Sequence, residues 1–212
     1  NESMPHDLKV AALETEHQFG QTERALGVID LALANEPHAD LVLFCEAGLT
    51  GYVSPQGNFD LAPFAEPLEG PTCSRICDLA KKHNSTLVAP LIEIDEKSGN
   101  YYNSFVACSP QGAILAHYRK RHPWLPETWA TPGESAPPLF EINGFAITIA
   151  ICFDVHFVRA DMHNELAKAE VLLFPTAWVN GDGPNDTREK VLPSIAKDYQ
   201  LWIINANWAP ST

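Results

Sequence analysis

Phe145-Ala146-Ile147-Thr148-Ile149-Ala150-Ile151-Cys152-Phe153-Asp154 decides how this chain is read. Its first seven residues are all apolar or β-branched, and the turn pair Asn143-Gly144 precedes them. So short a run, bounded by a turn, predicts a strand buried on both faces. The strand delivers a cysteine and an aspartate at its carboxyl end, which is where open α/β sheets bind ligands. A thiol placed there is a candidate nucleophile, because it needs only modest activation. Taken alone, Cys152 reads as a packing residue, since free cysteine is among the most buried residue types.

Working outward, short buried strands are expected over residues 8–12, 40–45, 86–94, 171–174 and 201–205. Helical patterns cover 22–34, 71–83, 160–168 and 188–199. Between them lie two antiparallel hairpins. Residues 101–108 and 113–118 turn at Ser109-Pro110-Gln111-Gly112, and residues 139–142 and 145–151 turn at Asn143-Gly144, a type I′ signal. Residues 48–67 and 121–138 are rich in Gly, Pro and aromatic residues and read as long ordered loops. Strands buried on both faces need a layer on each side. A helix layer on one side and a second sheet on the other satisfies that need. The reading is one α/β domain over residues 5–212.

The 212 residues carry a formal net charge of −13, which disfavours nucleic acid and anionic membrane as partners. No apolar run approaches the ~20 residues that span a bilayer. The five cysteines are odd in number and scattered, so they do not form a disulfide framework, and a reducing cytoplasm is the expected location. Cys73 and Cys77 form a C-x3-C pair. With no second pair and no histidine at ligand spacing, no zinc site is expected there.

Glu46, Lys120 and Cys152 all fall at strand ends. Each alone reads as ordinary: a loop carboxylate, one member of the basic cluster Arg119-Lys120-Arg121, a packing thiol. Together they form a usable set. A free cysteine is only a few per cent thiolate at neutral pH and needs a base. Glu46 can take its proton, and an ammonium can hold an oxyanion, a contribution of roughly 10²–10³ in rate.

At these residues the chain resembles the nitrilase superfamily of carbon–nitrogen hydrolases. Cys45-Glu46-Ala47-Gly48-Leu49-Thr50-Gly51-Tyr52 is similar to the family's glutamate motif. Tyr102-Asn103-Ser104 and Tyr118-Arg119-Lys120-Arg121-His122 are similar to its lysine motif, and Ile151-Cys152-Phe153-Asp154 to its nucleophile motif. Glu127, followed by Thr131-Pro132-Gly133, looks like the second family glutamate. The resemblance implies a four-layer αββα sandwich within a homodimer or higher homo-oligomer. It also implies a Glu46-Lys120-Cys152 triad with Glu127 beside it, and no metal or organic cofactor. It makes Cys152 the nucleophile, Glu46 the general base and acid, and Lys120 with the Phe153 amide the oxyanion holders. The substrate would be a small amide or carbamoyl compound. Tyr52, Trp178 and His156 are the expected pocket residues.

There are departures from the pattern. Val155-His156-Phe157-Val158-Arg159 lacks the family's Pro-Glu after the cysteine, and Arg159 reads either as a holder of substrate carboxylate or as a surface residue. The family's C-terminal strands and tail are expected to be shortened or missing here. Two other readings stay open: a non-catalytic member that uses the scaffold for binding or assembly, and an unrelated α/β protein whose Cys152 is structural.

Overall fold

The computed structural model of the chain describes residues 7–16, 18–179 and 187–209. Its element order is β1 (Val10–Ala12), α1 (Thr22–Asn35), β2 (Leu41–Leu43), α2 (Pro71–His83), β3 (Thr86–Ile94), β4 (Tyr101–Cys108), β5 (Ile114–Arg119), β6 (Phe140–Ile142) and β7 (Phe145–Ile149). Next come α3 (Val158–Asp161), α4 (His163–Lys168), β8 (Val171–Pro175), α5 (Thr187–Tyr199) and β9 (Trp202–Ala206). Two sheets result. One has the order β1-β2-β3-β4-β5, and the other β6-β7-β8-β9.

The βαβ segments give parallel pairs (β1 with β2, β2 with β3, β7 with β8, β8 with β9), whereas the tight turns give antiparallel ones. At the β6–β7 turn Asn143 and Gly144 both have positive φ, at 49° and 80°. A type I′ turn needs that conformation at both central residues.

The layers follow from the burial pattern. Leu26 and Ile29 of α1 and Ile76 and Leu79 of α2 pack on Val42, Leu87, Ala89 and Val106 of the first sheet. The other face of that sheet presents Leu41, Leu43, Val88 and Phe105 to Ile147, Ile149, Val171 and Leu173 of the second. The outer face of the second sheet is covered by Val158, Met162, Leu166 and Ile195 from its helices. The protein is therefore an αββα sandwich, and the continuous apolar strands are buried on both faces as expected.

Three details depart from the sequence reading. The single helix expected over 160–168 is two short helices, because Met162 leaves helical geometry at φ −137° while its side chain stays buried. Leu31 of α1 is 65% exposed; the buried stripe runs through Leu26 and Ile29. The strand predicted over 40–45 pairs only over Leu41–Leu43, after which the chain turns to place Glu46. Pro90 lies in β3 beyond the register with β2, so its missing N–H interrupts no ladder there.

A buried ion cluster ties β3 to β4 and β5. Glu93 is 1% exposed and accepts from Ser104 Oγ (2.7 Å) and Arg119 Nε (3.1 Å), with His117 Nε2 at 2.6 Å. Burial acts to raise its carboxyl, but the contacts from His117 and Arg119 overcome this and hold it at about 2. A depressed carboxylate adds stability that is full above the ordinary carboxyl value and is lost as pH falls toward the folded value. Glu93→Gln is therefore expected to lower unfolding free energy at pH 7 by about 3 kcal/mol. That difference should shrink between pH 5 and 2. Urea unfolding of both proteins across that range checks it, and a pH-independent gap would refute the assignment.

Candidate active site

The carboxyl ends of β2, β5, β7 and β8, with the start of antiparallel β4, meet at one rim. Each supplies a side chain or amide to the same buried centre.

Glu46 follows β2 in a turn closed by Gly48 N–H to Cys45 O (3.1 Å) and Gly51 N–H to Ala47 O (2.8 Å). Ala47 has φ 51°, and a Cβ on Gly48 would lie 2.9 Å from Cys45 Sγ, so the turn is tight on both sides. The Glu46 side chain is fully buried. Its Oε2 accepts from Lys120 Nζ (2.6 Å) and Asn103 Nδ2 (3.0 Å), and its Oε1 from the Ala177 amide (3.1 Å).

Lys120, just past β5, is also fully buried and donates a second bond to Glu127 Oε2 (2.8 Å). Glu127 accepts further from Asn103 Nδ2 (2.8 Å) and the Trp124 amide (2.7 Å). One ammonium and one amide thus bridge two carboxylates. Burial alone would push Lys120 toward neutrality, but the charges of Glu46 and Glu127 more than offset it and hold the ammonium charged. Burial raises the Glu46 carboxyl, with Lys120 opposing.

Cys152 stands where β7 gives way to a 3-10 turn over Cys152–His156, with φ 45°. A non-glycine residue in that region costs about 1–3 kcal/mol and persists only where its surroundings enforce it. Asp154 provides that enforcement. Its Oδ2 accepts from the Ile151 amide (3.0 Å) and the Tyr118 hydroxyl (2.7 Å), and its Oδ1 from the His122 amide (2.9 Å). One carboxylate therefore locks the cysteine turn to the strand that carries Lys120. Burial and the neighbouring Glu46 charge push the Cys152 thiol well above its usual range, with Lys120 and the Ala177 amide pulling the other way. Phe153 occupies the first turn of the 3-10 segment, where an amide has no partner within the helix.

Glu46, Lys120, Glu127 and Cys152 are thus brought together. Tyr52 is 3% exposed beside them, in a cluster with Phe59, Trp124 and Trp208, and burial plus the charges of Glu46 and Glu127 raise its hydroxyl. Trp178 is half-buried, held by its amide on Asn207 Oδ1 (2.7 Å). His156 is exposed, its ring 5.1 Å from Phe153 and 6.0 Å from Trp178. Arg159 is on the surface, bonded to Ser194 Oγ and Asp198 of α5 (both 2.8 Å), so the structure favours the surface reading over the carboxylate holder.

Residues beyond the sequence reading also belong to the site. Asn103 bridges both glutamates, and its Oδ1 is buried without a partner. Asp154 and Tyr118 brace the cysteine, and Asn205 and Asn207 fasten the segment after β8 through Thr176 and Trp178. Asn103, Tyr118 and Asp154 stood inside the motifs quoted from the sequence, but no role was assigned to them there.

The carbon-nitrogen hydrolase family model matches residues 9–209, and the chain belongs to that family. An (R)-stereoselective amidase of a Pseudomonas species is 28% identical over 79% of this chain and 58% of its own. The β-ureidopropionase of Arabidopsis thaliana is 30% identical over 67% of this chain and 36% of its own. The chain thus spans about half the length of the curated relatives it matches. Among solved structures, a glutamate-to-glutamine mutant of the amidase from Nesterenkonia sp. AN1 superposes with a TM-score of 0.81 at 24% identity, over 96% of this chain and 77% of that one. The active-site cysteine of that mutant carries the acetamide moiety of fluoroacetamide.

Gly133 sets how closely the loop after Glu127 lies against Lys120. Its amide donates to Lys120 O (2.8 Å), and an added Cβ would meet Arg119 O at 2.1 Å. Both sides of that contact are backbone, so Gly133→Ala must displace one of them. The expected loss is about 3 kcal/mol, the upper range for overpacking. Equilibrium denaturation measures it; an unchanged midpoint would show that the loop yields freely.

Proposed function

We propose that the chain is a thiol amidohydrolase that cleaves the C–N bond of a small amide or carbamoyl compound. The observation that carries this is the buried Lys120 ammonium. An ammonium has three N–H donors. Glu46 and Glu127 take two, leaving one for an oxyanion beside Cys152.

In this reading Cys152 Sγ attacks the acyl carbon as its proton passes to Glu46. Transfer to Glu46 and not to solvent suits the site, because a thiolate whose proton had left would add a second net negative charge to a buried centre that already holds two carboxylates and one ammonium. Negative charge forms on the acyl oxygen, which accepts from Lys120 Nζ and the Phe153 amide. The intermediate collapses, the C–N bond breaks, and Glu46 returns the proton to the leaving nitrogen as ammonia or an amine. A thioester on Cys152 remains. Water attacks it with Glu46 again taking the proton, the acid departs, and the thiol is restored.

Glu127 and Asn103 hold Lys120 and Glu46 in register, while Tyr52, Trp178 and Phe153 bound the substrate. The names of the relatives support both substrate classes, since one is an amidase and the other acts on a carbamoyl compound. The common step is the same acyl transfer to sulfur.

Ammonia release over a panel of aliphatic amides and carbamoyl amino acids tests the reading. Cys152→Ala is expected to lose at least about 10⁴-fold in turnover, as nucleophile removal does elsewhere, while keeping the wild-type unfolding midpoint. Glu46→Gln is expected to be equally inactive yet to accept a haloacetamide on Cys152, seen as a mass increment on the intact protein. Turnover at the wild-type rate in Cys152→Ala would sink the proposal.

A further inference from the structure

Cys73 and Cys77 stand four residues apart on α2, so one helix face carries both. Cys108 ends β4 on the face that α2 covers, in the same cluster as Val106 and Ile76. The three Sγ atoms lie within 4.8 Å of one another, and those of Cys77 and Cys108 are 2.8 Å apart. All three are free thiols. Cys73 is 2% exposed, Cys108 is fully buried, and Cys77 is half-buried at the outer edge. The C-x3-C spacing alone implied no metal site. What it could not show is the third sulfur, which arrives from a strand 31 residues beyond Cys77.

The donor set restricts the ligand. Among the described residues no histidine or carboxylate oxygen joins the three sulfurs. Magnesium and calcium require oxygen donors, and structural zinc sites take four protein ligands. Thiolates select soft ions, copper(I) among them. With metal–sulfur bonds near 2.3 Å, three sulfurs around one ion sit about 4 Å apart. The three sulfurs already lie within 4.8 Å of one another, with Cys77 and Cys108 closer than that figure. Parting Cys77 from Cys108 by about 1 Å brings that pair to the trigonal spacing, and Cys77 is the half-buried member of the three.

We propose that Cys73, Cys77 and Cys108 form a binding site for a soft thiophilic cation, copper(I), held by three sulfurs. Each thiol that binds as thiolate releases its proton to solvent, the copper remains monovalent, and no electron moves. Affinity therefore rises with pH. The site is separate from the candidate active site. Asn103 and Cys108 are five residues apart on β4, about 17 Å along the strand, and an odd spacing puts them on opposite faces.

The test is anaerobic titration of the Cys152→Ala chain with copper(I), added as its acetonitrile complex, against a chromogenic copper(I) chelator. Removing Cys152 excludes binding at the other reactive thiol. One equivalent is expected to bind, with a thiolate-to-copper absorption band and X-ray absorption reporting sulfur neighbours alone. Cys77→Ser and Cys108→Ser should each weaken binding by more than about 100-fold, since outer-shell partners of metal ligands alone are worth 10–100-fold. Far-UV circular dichroism checks that each variant is folded. If Cys108→Ser does not fold, the half-buried Cys77→Ser carries the comparison. Affinity unchanged in Cys77→Ser would overturn the proposal. So would the absence of one-equivalent binding, or a Cys77–Cys108 disulfide in the anaerobic protein.

Discussion

A lysine ammonium with no exposed surface lies between two buried carboxylates, and the rest of the structure is arranged to make that arrangement stable. Removing such charges from water costs several kcal/mol each, recovered only when every donor and acceptor is matched. Lys120 meets both Glu46 and Glu127, and Asn103 bridges the same pair through its amide nitrogen. The Ala177 and Trp124 amides supply two of the remaining partners. Lys120 follows β5 and Glu46 follows β2 of one sheet, while the Ala177 amide follows β8 of the other. The charge cluster therefore links the two sheets beside their apolar contact.

The cysteine is held by a related device. Its positive φ is a local strain, and the Asp154 carboxylate fastens the turn to Ile151, Tyr118 and His122. Burial raises the Asp154 carboxyl, opposed by the Lys120 charge and by these three donors. The same lysine thus steadies Glu46 on one side and the brace of Cys152 on the other. Asn205 and Asn207 do comparable work after β8, bonding Phe174, Thr176 and Trp178. With the Thr176 amide on Ala206 O and the Glu46 amide on Thr176 O, they hold the segment whose Ala177 amide reaches Glu46.

Much of this was legible in the chain itself. The β7 run, the two turn signals and the βαβ spacing define the strands because their periods and boundaries are local properties. The strand-end positions of Glu46, Lys120 and Cys152 were legible as local properties, whereas Glu127 was singled out only through its motif resemblance. The bridging role of Asn103 was not legible, although the residue stood in a quoted motif, since that role is to touch two carboxylates from other segments. Arg159, left open between a carboxylate holder and a surface residue, and His156, expected at the pocket, were not decided by the sequence for a similar reason. Their sequence neighbours place them near Cys152, but the turn directs both outward, and Arg159 meets α5 instead. The split of the helix after Cys152 depends on Met162 being drawn into the core, which no propensity records.

The sequence by itself determined the order of strands and helices, the family, and the three chemical groups at strand ends. Tertiary structure alone decided which polar atoms meet. It put Asn103 between two glutamates and tied Asp154 to Tyr118. It also brought Cys108 to Cys73 and Cys77, which sequence spacing had marked as an isolated pair. The physical reason is that periodicity and turn chemistry act over a few residues. Partners 24 to 131 positions apart are chosen only when two sheets and their helices close on a common core.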